Sequence, residues 1–367
     1  MLEVTKLVLP ALLLSSLLGV REAVEVKFPL RSGQQGNRMV TVDSEGNRVK
    51  LVCVNWYGAH MEDMVVNGLD RQNIQFIANK IAELGFNCVR LPWALDTIFE
   101  NPVVRPERLS KNPELVGKTA MEILDATVAA LTEAKVITIL NNHISTAQWC
   151  CPQEDGLWYT DKYPESDFFE GWIQITERYL GNPWVAGLDL RNEIRMNEHG
   201  QLANWGNGKE NDWAIAATKI GNILLDINPD ALIIVEGILS AGNLLGAITH
   251  PIILSKQSQL VYSGHIYPFS PIISDLPYTL FKSTMDSMQT YVADVGYNFS
   301  APYWMGEFGT GSDSENWGKI VRFLNETDHD WAYWSIDGYK YPDQGKGNTT
   351  EETISDNICR RGLRDSE

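Results

Sequence analysis

Two glutamates each close a short apolar run: Glu193, directly after Asn192, and Glu307, inside Trp304-Met-Gly-Glu-Phe-Gly309. Other apolar runs end in Asn55 and Trp56, in Arg90 and Trp93, in Asn142 and His143, in Glu236, in His265 and Tyr267, and in Trp334 and Asp337. Carboxylates gathered with aromatic rings suit sugar chemistry. Glycosidic cleavage needs one carboxylic acid to protonate the leaving oxygen and one carboxylate to attack or stabilise the anomeric carbon. Aromatic faces stack on the CH faces of pyranose rings. Most of the 12 tryptophans nonetheless read as core packing, and a sugar-facing role is kept for Trp334 and Trp56. A lone histidine is as often a structural hydrogen-bonder as a functional group, and only their place at run ends favours function for His143 and His265. Asp189 reads as an interior polar group or a salt-bridge partner of Arg191, and Glu236 as a substrate contact or a turn cap. Neither joins the catalytic set.

Such residues need a scaffold that brings the run ends together. Eight runs, 51–58, 86–93, 135–143, 185–193, 231–237, 260–268, 302–309 and 330–338, are apolar through most of their span, the pattern of strands buried on both faces. Between them the apolar spacing is helical. Ile74, Ile77, Ala78 and Ile81 share one face of 70–85, and Ile123, Leu124, Thr127, Val128 and Leu131 share one face of 119–134. Further helices are predicted over 166–180, 212–227, 278–295 and 314–324, and a weaker one over 241–255, where Pro251 ends or kinks it. Strands alternating with helices imply parallel pairing through right-handed crossovers. Eight units predict an α/β fold, a single (β/α)8 TIM barrel over 24–367. A short N-terminal extension before residue 49 is expected to form a hairpin turning at Ser44-Glu45-Gly46-Asn47. A nucleotide-binding doubly wound sheet is disfavoured, because Asn55-Trp56-Tyr57-Gly58 is not a Gly-rich phosphate turn. Barrel enzymes carry their working residues at strand C-terminal ends, where the candidates fall.

The segments Gly187-Leu-Asp-Leu-Arg-Asn-Glu193 and Trp304-Met-Gly-Glu-Phe-Gly309 together resemble glycoside hydrolase family 5, in the clan of retaining barrel glycosidases. The resemblance runs over nearly the whole chain after residue 50. Gly85-Phe-Asn-Cys-Val-Arg-Leu91 and Trp149-Cys-Cys151 look most like eukaryotic secreted, cellulase-like members, and Ile194 stands where many members have Pro. The resemblance implies Glu193, ending the fourth strand, as acid/base and Glu307, ending the seventh, as nucleophile of a double displacement. It implies substrate-binding roles for Arg90, His143, Asn192, His265, Tyr267 and Trp334. Arg90 would keep Glu307 ionised, Tyr267 would hydrogen-bond the same carboxylate, and Asn192 would hold the sugar 2-hydroxyl. The expected reaction is hydrolysis of a β-linked glycan, as an endo-β-glucanase or cellulase. The alternatives are mannan, β-1,6-glucan or a glycolipid head group, selected by loops 95–115 and 147–164, with an apolar patch over 271–280 as the glycolipid sign. A non-catalytic carbohydrate-binding barrel would have lost a carboxylate, and both are present.

Composition agrees with a neutral polymer as partner. The 367 residues carry a formal net charge of −17, which repels nucleic acid and anionic membrane surfaces. A polysaccharide or oligosaccharide substrate meets no such repulsion. The basic stretches at Arg105 and Arg108, and at Arg360, Arg361 and Arg364, read as solvated surface. Leu7 to Val20 is apolar and follows Lys6, as in a signal peptide over 1–23, with an uncleaved anchor as the alternative. A secreted, extracellular protein without stable membrane association is expected, and sequons at Asn298, Asn325 and Asn348 fit a glycoprotein. The five cysteines, Cys53, Cys88, Cys150, Cys151 and Cys359, suggest one or two disulfides and a leftover thiol, with Cys150 and Cys151 pairing differently if they pair. Without CxxC or HExxH spacing no zinc site is expected, and nothing implies a cofactor.

Overall fold

The computed structural model describes residues 26–149, 152–270, 276–310 and 314–336. The leader, Cys150, Cys151, Cys359, Asn348 and Asp337 lie outside the described residues, as does half of the 271–280 patch, residues 271–275. In chain order the elements are β1 (Arg31–Gln35), β2 (Arg38–Val42), β3 (Val52–Trp56), α1 (Ile74–Glu83), β4 (Cys88–Ala94), α2 (Leu95–Phe99), α3 (Ala120–Glu133), β5 (Ile137–Ile144), α4 (Glu165–Arg178), β6 (Val185–Asp189), α5 (Trp213–Ile227), β7 (Leu232–Glu236), β8 (Leu260–His265), α6 (Tyr278–Met288), β9 (Tyr303–Phe308), α7 (Glu315–Thr327) and β10 (Asp330–Ile336). Strands β3 to β10 pair in sequence order, all parallel, and β10 returns to β3 to close the ring. This is the expected (β/α)8 barrel.

Local signals explain where the helices begin. Asn73 caps α1 by accepting the N–H of Gln75 at 2.9 Å, and Thr119 and Glu122 form a reciprocal capping box on α3. Asp212 and Ser314 cap α5 and α7 in the same way. Each side-chain oxygen satisfies an N–H that the first turn leaves without a partner. The inward stripe predicted for the first helix is the buried one: Ile74, Ile77, Ala78 and Ile81.

The expected helix over 241–255 is replaced by a single 3-10 turn, Leu245–Ile248. Leu239, Ser240 and Ala241 all take positive φ, between 56° and 57°, which turns the chain sharply where a helix would start. The Ser240 N–H donates to the carbonyl of Ile194 at 2.9 Å, so this loop buttresses the segment that follows Glu193. The expected hairpin turn at Ser44–Asn47 is present: Val42 and Arg48 pair antiparallel across it, and Asp43 accepts the N–H groups of Glu45 and Asn47. A further hairpin, which was not expected, turns at Gly36 and Asn37 between β1 and β2.

Inside the barrel, successive inward side chains change character from bottom to top. Cys53, Cys88, Ile137, Ile139, Ala186, Leu232, Ile234, Val261, Trp304 and Ala332 form an apolar floor, which Leu30 joins from the N-terminal extension. Cys53 and Cys88 are paired partners on β3 and β4 and form a disulfide with Cα atoms 4.3 Å apart. One inward step higher on the same strands come Asn55, Arg90, Asn141, Asp189 and Glu236, each with no measurable exposure. A polar layer therefore rests on an apolar one.

Candidate active site

Arg90 is the centre of the polar layer. Its Nε donates to Asp189 at 2.7 Å, Nη1 to Asn55 at 3.0 Å and to Glu307 at 2.5 Å, and Nη2 to Asn192 and Glu236, both at 2.8 Å. One fully buried guanidinium thus collects three carboxylates from β6, β7 and β9. Arginine is suited to this, because its planar fork offers five fixed donors and stays charged.

Glu307 has two kinds of donor on its carboxylate, Arg90 and the Tyr267 hydroxyl at 2.7 Å. Glycine is required on both sides of this strand end. A Cβ on Gly306 would lie 2.6 Å from the Ser263 hydroxyl, and one on Gly309 would lie 2.1 Å from the Trp334 carbonyl. Glu193 sits above Asp189, with φ of +44°, a left-handed conformation uncommon for a side-chain-bearing residue. It is held there because its N–H donates to Glu236 at 2.8 Å. Its carboxylate lies 3.0 Å from His265 Nδ1 and is the more open of the two, with side-chain exposure of 16% against 5% for Glu307. A carboxylate oxygen of Glu193, a nitrogen of His265 and a carboxylate oxygen of Glu307 all lie within 4.8 Å of one another.

The protonation states follow from burial and this crowding of charge. Burial works against the charged form of His265, but Glu236, Glu307 and Glu193 push its pKa well above the usual value. Burial also works against ionised Glu236, yet His265, Arg90 and the Glu193 N–H hold it down at about 2. Burial and the neighbouring Glu236 charge push Asp189 up to about 8 despite Arg90. For Glu307 the expectation of a pKa held low by Arg90 is reversed: burial dominates and raises it, with His265 and Arg90 acting in the other direction. Tyr267 is raised well above its ordinary value by burial and by Glu307, so it remains a phenol and donates.

The other predicted residues gather around this pair. His143 donates from Nδ1 to Asn141 at 2.8 Å and stacks on Trp334, with ring centroids 5.4 Å apart and planes 15° off parallel. Trp334 also contacts Tyr57, at 5.6 Å. One expectation is corrected and one alternative is decided. Trp56 is buried and its indole N–H donates to the Asn67 carbonyl at 2.9 Å, so it anchors a loop, and its neighbour Tyr57 is the ring beside Trp334. Asp189 is the interior polar group of its two readings: it is buried and pairs with Arg90, while Arg191, past the end of β6, pairs with Asp155. Asn55, Asp189 and Glu236 belong to the site through Arg90. The signal in the sequence for Asn55 and Glu236 was their place two residues beyond the floor residues Cys53 and Ile234, and Asp189 stands two beyond Gly187, where a Cβ would meet the floor residues Ile139 and Ile234. The second acidic group, Asp161, Glu198 and His199, is exposed and shares no residue with the cleft just described. The Glu193–His265–Glu307 trio also has the spacing of metal ligands; its geometry is that of the two carboxylates and the imidazole hydrogen bond described above.

The comparisons agree with this geometry. A family model described as cellulase, glycosyl hydrolase family 5, matches residues 42–340. The chain is 31% identical over 327 residues to an endoglucanase of Paenibacillus polymyxa, covering 82% of this chain and 78% of that protein. It is 31% identical over 332 residues to a glycosyl hydrolase 5 family protein of Chamaecyparis obtusa, covering 83% of this chain but only 58% of that longer relative. An endocellulase from Pyrococcus horikoshii, solved in complex with cellotetraose, superposes with a TM-score of 0.72 at 27% identity, over 88% of this chain and 93% of that one. The catalytic domain of the major endoglucanase of Xanthomonas campestris pv. campestris gives a TM-score of 0.72 at 25% identity, over 84% and 92%. With the family model spanning the closed barrel and its paired glutamates, the chain belongs to glycosyl hydrolase family 5 and is an O-glycosyl hydrolase.

Proposed function

We propose that the protein is an endo-acting β-glucanase of cellulase type, with Glu307 as nucleophile and Glu193 as acid/base. The observation that carries this reading is the approach of the Glu193 and Glu307 carboxylates to within 4.8 Å. That is on the side of the roughly 5–5.5 Å separation of retaining enzymes, and short of the roughly 6.5–9.5 Å that leaves room for a water in inverting ones. Glu307 attacks the anomeric carbon while Glu193 gives its proton to the glycosidic oxygen, and the sugar chain beyond that oxygen departs. Water then attacks the glycosyl ester, Glu193 takes a proton from it, and Glu307 is released as a carboxylate. Arg90 and Tyr267 orient Glu307 throughout, and the open side of Glu193 faces the departing sugar and the incoming water. Relatives named endoglucanase and endocellulase favour β-glucan and internal cleavage.

The test is a reducing-sugar screen of the purified protein on β-1,4-glucan, β-1,3/1,4-glucan, β-1,6-glucan and mannan. It is followed by proton NMR of the first product. Activity on β-1,4-glucan with a β-anomer formed first is expected, together with a fall in viscosity faster than the release of reducing ends. An α-anomer formed first would remove Glu307 as nucleophile, and activity confined to mannan or β-1,6-glucan would move the substrate.

Tyr267 gives a second expected result. Its hydroxyl favours ionised Glu307, so Tyr267→Phe raises the carboxyl's pKa further. The acidic limb of kcat/KM must then move to higher pH, with activity down by roughly ten- to a hundredfold at its optimum. An unmoved acidic limb would detach Tyr267 from the ionisation of Glu307.

The secretory route is part of the same proposal. The Cys53–Cys88 disulfide suits an oxidising compartment, and the sequon residues Asn298 and Asn325 are exposed, as acceptors of a glycan must be. The apolar run at 7–20 supplies the signal peptide. Among the described residues no helix is long and apolar enough to cross a membrane. The net charge of −17 leaves a neutral glycan as the fitting partner.

A further inference from the structure

Behind the cleft lies a group that the double displacement does not use. His60, in the turn after β3, has no measurable exposure, and among the described residues neither of its ring nitrogens has a hydrogen-bond partner. Its place is fixed. The carbonyl of Ala59 accepts from the Thr97 hydroxyl at 3.4 Å, the Met61 N–H closes the turn on Gly58 at 2.9 Å, and the Asn67 N–H ties back to Tyr57 at 3.0 Å. Gly58, with φ of +123°, leaves no room for a side chain, because a Cβ would lie 2.6 Å from both the Asn67 nitrogen and the Val65 carbonyl oxygen. The chain has therefore built a rigid turn that delivers an imidazole to this spot.

Its neighbours are the rings of the cleft. The His143 ring is 4.2 Å away, Tyr57 6.3 Å and Trp334 6.4 Å, centroid to centroid. Burial and the charge of Arg90 hold the pKa of His60 at about 3, so the ring is neutral and carries one donor and one acceptor. A buried polar group without partners is a net cost to the fold, where a leucine of similar bulk would cost nothing. Imidazole in this place asks for a polar visitor that can both give and take a hydrogen bond. A sugar hydroxyl is such a group.

We propose that His60 is a substrate-binding residue, whose imidazole takes a hydroxyl of the sugar unit lying against Trp334. The contact forms by induced fit, since the ring has no measurable exposure in the free enzyme and packs among Tyr57, His143 and Trp334. The proposal rests on the reading of Glu193 and Glu307 as a glycan-cleaving pair, and it adds a specificity-determining group on the side of the cleft lined by Trp334. His60 thus exchanges some stability of the empty enzyme for affinity.

The experiment compares wild type, His60→Leu and His60→Gln for melting temperature without sugar and for kcat and KM on cellotetraose. Binding without turnover is read from the thermal shift given by cellotetraose in the Glu307→Ala background, with and without His60→Leu. His60→Leu is expected to melt no lower than wild type while kcat/KM falls roughly ten- to a hundredfold, carried mainly by KM. Glutamine, which keeps a donor and an acceptor, is expected to recover part of the loss, and the cellotetraose shift is expected to shrink in the double variant. Wild-type kinetics in His60→Leu would overturn the proposal. So would a fall of several degrees in melting temperature that accounts for the lost activity and that glutamine does not repair, since the ring would then be a structural member. Failure of the glucanase reading itself shows separately, as a wild type that neither cuts nor is stabilised by cellotetraose. The sugar-free melting comparison still decides in that case whether the ring is an orphan.

Discussion

Glu307→Ala is expected to keep its fold and to lose hydrolysis by on the order of 10^5-fold, the scale seen when a covalent nucleophile is removed from an enzyme that retains its other machinery. The fold survives because Arg90 still holds Asp189 and Glu236, at 2.7 and 2.8 Å, and one carboxylate fewer relieves the crowding around it. The vacated space lies where the anomeric carbon is attacked. Azide should therefore enter it and restore turnover of an aryl β-cellobioside, giving a glycosyl azide of α configuration, because the anion attacks from the nucleophile's side with no second displacement. The same anion added to Glu193→Ala meets an intact nucleophile, and attack on the ester must return the β configuration. Mass spectrometry and NMR of the azides check both. Identical anomers from the two variants would show that the roles of Glu193 and Glu307 are wrongly divided.

Arg90→Met carries the largest expected effect on stability. Removing the guanidinium leaves Asp189, Glu236 and Glu307 buried within reach of one another without their shared cation. Breaking a buried ion pair by removing one partner costs about 3–5 kcal/mol, and here three carboxyl groups lose the same hydrogen-bonding partner. A fall in melting temperature on the order of 10 °C at neutral pH is expected, with activity abolished. The pH dependence separates this from simple loss of packing. Glu236 has a folded pKa of about 2, below its usual 4.5, so in the wild type its contribution is present above about pH 4.5 and is lost as pH falls towards 2. Without Arg90 the carboxylates prefer to be protonated, so acid relieves the variant. The gap between variant and wild type should narrow as pH is lowered from 7 to 4 in calorimetry. A gap that is constant with pH would mean that Arg90 acts through its bulk.

Much of this was legible before any coordinates. All eight barrel strands could be read because parallel strands covered on both faces are written as unbroken apolar runs. The ends of those runs then indicated Glu193, Glu307, Arg90, His265 and Tyr267. The chemistry beyond the run ends was harder to see. Asp189 and Arg191 are neighbours in sequence and looked like a pair, but the barrel's stagger gives Asp189 to Arg90 of another strand. His60 sits in a turn with no periodicity, and only three-dimensional packing reveals that its ring has no partner. The loop after β7 hid its turn because Leu239, Ser240 and Ala241 are not residues that advertise positive φ. For the cysteines, composition indicated a disulfide, but the choice of Cys53 and Cys88 came from strand register.

That disulfide lies in the apolar floor, beneath the Asn55–Arg90 pair, and both cysteines have no measurable exposure. It closes a loop with a sequence separation of 35 residues, worth about 3–4 kcal/mol in the chain-entropy picture. Its position also has a consequence for biosynthesis. Once the ring of strands is shut, neither an oxidant nor an oxidoreductase can reach the sulfurs, so the bond has to form while β3 and β4 are still open to solvent. A host with a reducing cytosol would close the barrel over two thiols, and later exposure to air would not mend it. Recombinant production should therefore send the nascent chain through an oxidising compartment, because the order of oxidation and closure is decided during synthesis.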